Sequence, residues 1–161
     1  MNVLISLLVL IFVAGGTSVA AQSSRPGDLL YPVKVSVTEK VKEALSFSDE
    51  LKANVILSHA EERLQEAEDL VVKSDLSAEA RTQIEANFTE NVARVRALIE
   101  KLAATDSKVS ADIASSLETS LNAHERILTQ LSEKSAVAAE KPQVDKLKVK
   151  VSEEAKVSED D

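Results

Sequence analysis

From position 51 to position 131 the aliphatic residues recur every three or four places, in three runs parted by short polar connections. Leu51, Val55, Ile56, Ala60, Leu64, Ala67 and Val71 form the first stripe, with Leu57 and Leu70 beside it. Ile84, Phe88, Asn91, Val95, Leu98 and Leu102 form the second, widened by Val92 and Ile99. Val109, Ile113, Leu117, Leu121, His124, Leu128 and Leu131 form the third, flanked by Ile127. Side chains at this interval share one side of an α-helix and need another helix to cover them.

Each run opens on a residue that can cap a helix. Ser48 precedes Asp49 and Glu50, Ser77 precedes Ala78, and Thr105-Asp106-Ser107 precedes the third run. Their side-chain oxygens satisfy backbone N–H groups that a helix start leaves without partners, and the acids face the positive end of the dipole. The spacing predicts helices from Asp49 to about Lys73, from Ala78 to about Ala104, and from the third cap to about Lys134. Each is about 40 Å long at 1.5 Å per residue. Connections this short make neighbours antiparallel. A long helical hairpin that completes its core as a homodimer is the alternative.

Composition supports helices over sheets. Aromatic residues make up 2% of the 161 positions, and there are three Gly and three Pro. Tight hairpin turns therefore have little material, and a core must be filled by Leu, Val, Ile and Ala. The net charge of −8 is spread as mixed Glu, Asp and Lys with no basic stripe, which argues against nucleic acid. It also disfavours docking of the whole chain on anionic lipid. With no cysteine, disulfides, thiolate chemistry, cysteine-ligated zinc and a lipidated N-terminal cysteine are excluded.

Residues 1–21 read as a secretory signal. Val3 to Ala14 is apolar apart from Ser6, Gly15-Gly16 follows, and Ser18-Val19-Ala20 or Val19-Ala20-Ala21 supplies the small residues of a cleavage site. The leader has no Lys or Arg ahead of its apolar run, and an uncleaved anchor is the alternative. Residues 22–30 are then a linker and entry. Pro26-Gly27 is turn chemistry, and Asp28 can bond forward to backbone N–H groups. Pro32, tolerated in a first helical turn, starts a short helix near Tyr31. Val33, Val37, Val41, Ala44 and Leu45 follow at helical spacing, and residues 31–135 are the expected bundle domain. Beyond it the pattern decays. Pro142 reads as a stop, and residues 136–161 read as a flexible charged tail. The alternation of Leu147-Lys148-Val149-Lys150-Val151 offers an edge strand as the other reading.

The segment from Pro26 to Lys34 and the later Ala60-Glu61-Glu62-Arg63-Leu64-Gln65-Glu66-Ala67 together resemble a bacterial family of exported domains of unknown function. That family opens on a Pro-Gly-Asp…Leu-Tyr-Pro-x-Lys entry and carries an Ala-Glu-x-Arg-Leu-x-Glu helix. The matching positions here are Pro26, Gly27, Asp28, Leu30, Tyr31, Pro32 and Lys34, then Ala60, Glu61, Arg63, Leu64 and Glu66. The resemblance spans roughly residues 26 to 105 and implies an extracytoplasmic helical domain, in relatives sometimes attached to membrane proteins linked with anti-sigma regulation. It implies no activity. Physically these positions look structural: Asp28 and Pro32 set the first helix, Tyr31 plugs a bundle end, and the charges pair along helix faces.

Chemistry is sparse. His59 has Glu62 and Glu66 at i+3 and i+7, a spacing that can line one face and hold a metal with a second helix. A di-iron helix, however, needs Glu ahead of His, and a surface or seam histidine is the simpler expectation. There is no Cys, no Gly-flanked Ser and no phosphate-cradling Gly loop. Asn87-Phe88-Thr89 matches a glycosylation acceptor inside a predicted helix. The expectation is therefore an exported binding or structural module of the cell envelope, without catalysis or cofactor, that meets a protein partner. A chaperone-like or stress- or metal-binding envelope protein is the alternative.

Overall fold

The computed structural model describes residues 24–134 and 141–160, so the expected leader lies outside the described residues. The chain divides into two compact units, Met1–Leu45 and Ser46–Asp161. The described part of the first unit holds a turn over residues 24–30 and one short helix, α1, in three stretches. Tyr31–Val33 is α-helical, Lys34–Thr38 is π-helical, and Glu39–Ala44 is α-helical again. The second unit holds four longer helices: α2 (Asp49–Val72), α3 (Ala78–Ala103), α4 (Ser107–Lys134) and α5 (Lys141–Asp160).

The starts follow the sequence. Ser48 Oγ accepts from the Leu51 N–H at 3.1 Å, and Ser77 Oγ from the Ala80 N–H at 3.1 Å. Asp106 Oδ1 accepts from the Val109 N–H at 3.1 Å. The end of α2 is less conventional. Ser74 takes the left-handed conformation (φ 57°), its N–H donates to the Val71 carbonyl at 3.0 Å, and the Asp75 N–H donates to Leu70 at 2.9 Å. This pair of bonds closes the last turn as a Schellman motif, with serine where glycine is usual.

Contacts between helices set their directions. Lys101 near the end of α3 pairs with Asp49 at the start of α2, with Nζ and Oδ2 2.8 Å apart. The Ser110 hydroxyl in α4 donates to the Ile99 carbonyl in α3 at 2.9 Å. Helices α2, α3 and α4 thus run antiparallel in sequence order, the three long helices of the expected all-α bundle. Their core joins Ile56, Ala60, Leu64 and Leu70 of α2 to Ile84, Phe88, Val92 and Val95 of α3 and to Ile113, Leu117, Leu121 and Leu128 of α4. Phe88 is 0% exposed. Leu51 and Ile127, placed in or beside the stripes, are instead exposed.

The segment expected as a tail departs from that reading over most of its length. Residues Lys141–Asp160 form α5, which lies along α4 and touches α3. It seats Val144, Leu147, Val151 and Ala155 in the same core. Pro142 is its second residue, where the missing N–H has no helical partner to lose, so the proline begins this helix rather than stopping one. The edge-strand alternative fails on Val149, which the helix turns to solvent. Arg81 Nε donates to Gln143 Oε1 at 2.8 Å, and Arg96 Nη1 donates to Glu154 Oε2 at 2.5 Å, fastening α5 to α3 at two levels.

Candidate functional site

The entry motif builds a turn. Gly27 has φ 98°, a conformation that favours glycine, and a Cβ there would meet nothing within 4 Å. The need is therefore conformational, not spatial. Pro26 and Gly27 occupy the two centres of a turn closed by the Asp28 N–H donating to the Arg25 carbonyl at 2.9 Å, the arrangement of type II. Asp28 does not cap α1 forward as expected. Its carboxylate turns back and accepts from the Arg25 N–H at 2.7 Å, clamping the turn from its other side. The Asp28 carbonyl then accepts from the Tyr31 N–H at 3.1 Å, which delivers the chain to Pro32. Leu30, directly before the helix, adds no side-chain cap. Tyr31 is buried and Leu30 half-buried, while Pro32 is exposed.

Lys34 is also buried, as are Glu39 and Glu43 of the same helix. The π-helical stretch accounts for this pattern. Buried Tyr31 and Lys34 would continue at positions 38 and 42 in an unbroken α-helix. One extra residue in the turn moves that face to Glu39 and Glu43. Val37, Val41 and Leu45 consequently face outward. The local sequence favours the change. Val33, Val35 and Val37 are stiff at χ1, and the Ser36 hydroxyl donates to the Pro32 carbonyl, competing with the backbone ladder.

In α2 the second motif divides by face. Ala60 and Leu64 belong to the core, and Glu61 is half-buried. Arg63 is 0% exposed and grips Glu66 by two prongs: Nη2 donates to Oε1 at 3.1 Å, and Nε lies 3.1 Å from Oε2. A planar guanidinium fork matches the two oxygens of a carboxylate, which is how a buried arginine is retained. Glu62 Oε2 adds a third oxygen at 3.6 Å. Arg63, Glu66 and Glu68 are charged residues of α2, yet all three are buried.

Glu68 has a different partner, His124 of α4, with Oε1 and Nδ1 2.7 Å apart. No sequence pattern links residues so distant, although His124 was placed on the α4 stripe. A carboxylate that orients an imidazole is half of a nucleophile-activating arrangement. The other half is missing: among the described residues no serine or threonine hydroxyl bonds to His124, and Ser116 donates instead to the Asp112 carbonyl at 2.9 Å. A groove of about 420 Å³ runs past His124 and Glu61, lined otherwise by small α4 side chains such as Ser116 and Ser120. His59, expected near the surface or a seam, is buried, and Glu66 is held by Arg63. Among the described residues no group of three or more His, Asp or Glu is placed to hold a metal ion.

A second groove, about 390 Å³, lies where α3 ends and α4 begins. Its lining is mostly apolar, from Ile99, Ala103, Ala111, Ala114 and Leu117, and is completed by Arg96, Glu100, Ser107 and Ser110. It can accept an apolar side chain or two, and it holds no cluster of acids or bases for proton transfer. Among the described residues no helix is long and apolar enough to cross a membrane.

A family described as Domain of unknown function (DUF5667) matches residues 23–158, a span that includes the entry motif, the Arg63–Glu66 helix and nearly all of α5. No curated protein and no solved structure matches the chain.

Proposed function

The chain belongs to this DUF5667 family of domains of unknown function, and from that premise we propose that it is a non-enzymatic helical module, exported to the bacterial cell envelope, that holds a protein partner in the α3–α4 groove. One observation carries the reading. Arg63 with Glu66, and Glu68 with His124, are buried polar pairs inside the bundle, while the α3–α4 groove is lined by Ile99, Ala103, Ala111, Ala114 and Leu117 together with the charged Arg96 and Glu100. Such a surface suits an apolar side chain or a helix edge of a protein partner. The apolar run Val3 to Ala14, followed by small residues, supports export.

The test is photo-crosslinking in the source cells, with a photoreactive residue at Ala103 or Ala111 in the groove and, as control, at exposed Val149 on α5. The expected result is one discrete protein adduct from both groove positions, absent from position 149. Equal labelling at all three positions, or no adduct from the groove, overturns the proposal.

A further inference from the structure

Phe47 is an aromatic residue that the fold leaves outside. It is 91% exposed, whereas Tyr31 and Phe88 are buried and Phe12 lies outside the described residues. Its position explains the exposure. Phe47 directly precedes the N-cap Ser48, where an apolar side chain ordinarily staples onto the fourth helical residue, and in α2 that residue is Lys52. Leu51, one turn on, is exposed as well, so the start of α2 turns an aromatic and an aliphatic side chain to solvent. The Lys101–Asp49 ion pair sets this start beside the end of α3, the end of the bundle at which the α3–α4 groove lies. An apolar knob and an apolar groove thus stand at one end of the same unit.

We propose that the groove receives Phe47 of a second copy, the two copies meeting by these ends so that each gives one ring and takes one. The inference rests on the reading of the groove as a protein-binding site, and names its occupant. Three observations select a second copy. The groove, about 390 Å³ with Ala103, Ala111 and Ala114 in its lining, has room for a large ring. Arg96 also lines it, with its guanidinium donating twice to Glu154: from Nη1 to Oε2 at 2.5 Å and from Nη2 to the carbonyl at 2.5 Å. A cation held in place this way favours an aromatic face over an aliphatic chain. The charges beside knob and groove are opposite: Lys52 follows Leu51, and Glu100 belongs to the groove lining. Neither is paired with another side chain among the described residues. Because knob and groove share one end, the contact can close on itself as a two-fold dimer instead of running on as a filament. Each ring brings about 150–250 Å², which with Leu51 places the contact in the small, reversible class below about 1,200 Å².

The test places photoreactive benzoylphenylalanine at position 47 of the full chain, which keeps an aromatic anchor there. Isotopically heavy and light copies are mixed in mild detergent and irradiated. The expected result is a heavy–light adduct of twice the chain mass, whose crosslinked peptide holds Ala103, Ala111 or Leu117. Its yield should rise with protein concentration and be absent for the same label at exposed Val149. Association through the N-terminal apolar run is common to labels at both positions. Ala111→Phe fills the groove from an exposed position and should cut the yield several-fold, with circular dichroism as its folding control. No heavy–light adduct from position 47 overturns the proposal, as does an adduct that maps outside the groove or keeps its full yield in Ala111→Phe. The groove reading fails separately. A different protein captured from Ala103 and Ala111 in the cells, without a heavy–light adduct here, sinks the second copy alone.

Discussion

Helices α1 and α5 both begin on a proline in their first turn, and they use their apolar residues in opposite ways. In α5 the residues at helical spacing, Val144, Leu147, Val151 and Ala155, are all buried and the lysines mostly face out. In α1 the equally spaced Val37, Val41 and Leu45 face out, and Lys34, Glu39 and Glu43 are buried. The difference is one residue of register. α5 is helical without interruption, whereas α1 spends five residues, Lys34–Thr38, in a π-helical stretch. Periodicity therefore identifies which residues share a face, while a single widened turn decides which face is covered.

Substitutions can break this comparison or sharpen it. Phe88→Ala, in the middle of the core that α5 joins, sets the scale at about 3–5 kcal/mol of lost stability by urea unfolding; a loss under about 1 kcal/mol would put that face of α3 outside. Leu147→Ala should cost about 2–5 kcal/mol. A solvated tail would make the same change silent, which is the cleanest way to refute α5. Asp28→Ala removes the clamp on the Pro26-Gly27 turn and should cost about 1 kcal/mol, visible as a lower melting temperature. Ser74→Gly should stabilise by about 0.5–1 kcal/mol, because glycine takes the left-handed conformation without the Cβ penalty; a loss instead would mean the serine side chain matters there. Val41→Ser, the counterpart of Leu147→Ala on the outward stripe, should change stability by less than about 0.5 kcal/mol. A loss comparable to that of Leu147→Ala would return the α1 stripe to the inside.

Much of the bundle is legible in the sequence. Ser48, Ser77 and Asp106 cap where a short oxygen-bearing side chain precedes a periodic run, because that chemistry is local. Ile84, Phe88, Asn91, Val95 and Leu102 are buried as their spacing requires. The misreadings have physical causes. Leu147 to Val151 satisfies a period of two and a helical period at once, and a proline such as Pro142 fits the end of one helix or, as at Pro32, the first turn of the next by the same steric rule. The charges Arg63, Glu66 and Glu68 look like solvated surface because a one-dimensional pattern does not show which carboxylate will meet a guanidinium or an imidazole. Glu68 finds His124 only after α2 and α4 are laid side by side. The π-helical stretch leaves no mark that distinguishes it from a helix rich in β-branched residues. The motif positions are clearer: Gly27 announced its turn, but Asp28 pointed backward where a forward cap was expected.

The two polar fastenings of α5, Arg81 to Gln143 and Arg96 to Glu154, sit beside four buried aliphatic or alanine side chains. Its hold on the bundle therefore comes from the groove it fills together with these two contacts. In effect α5 is a built-in ligand: a synthetic copy of the helix should complement a chain truncated after Lys134.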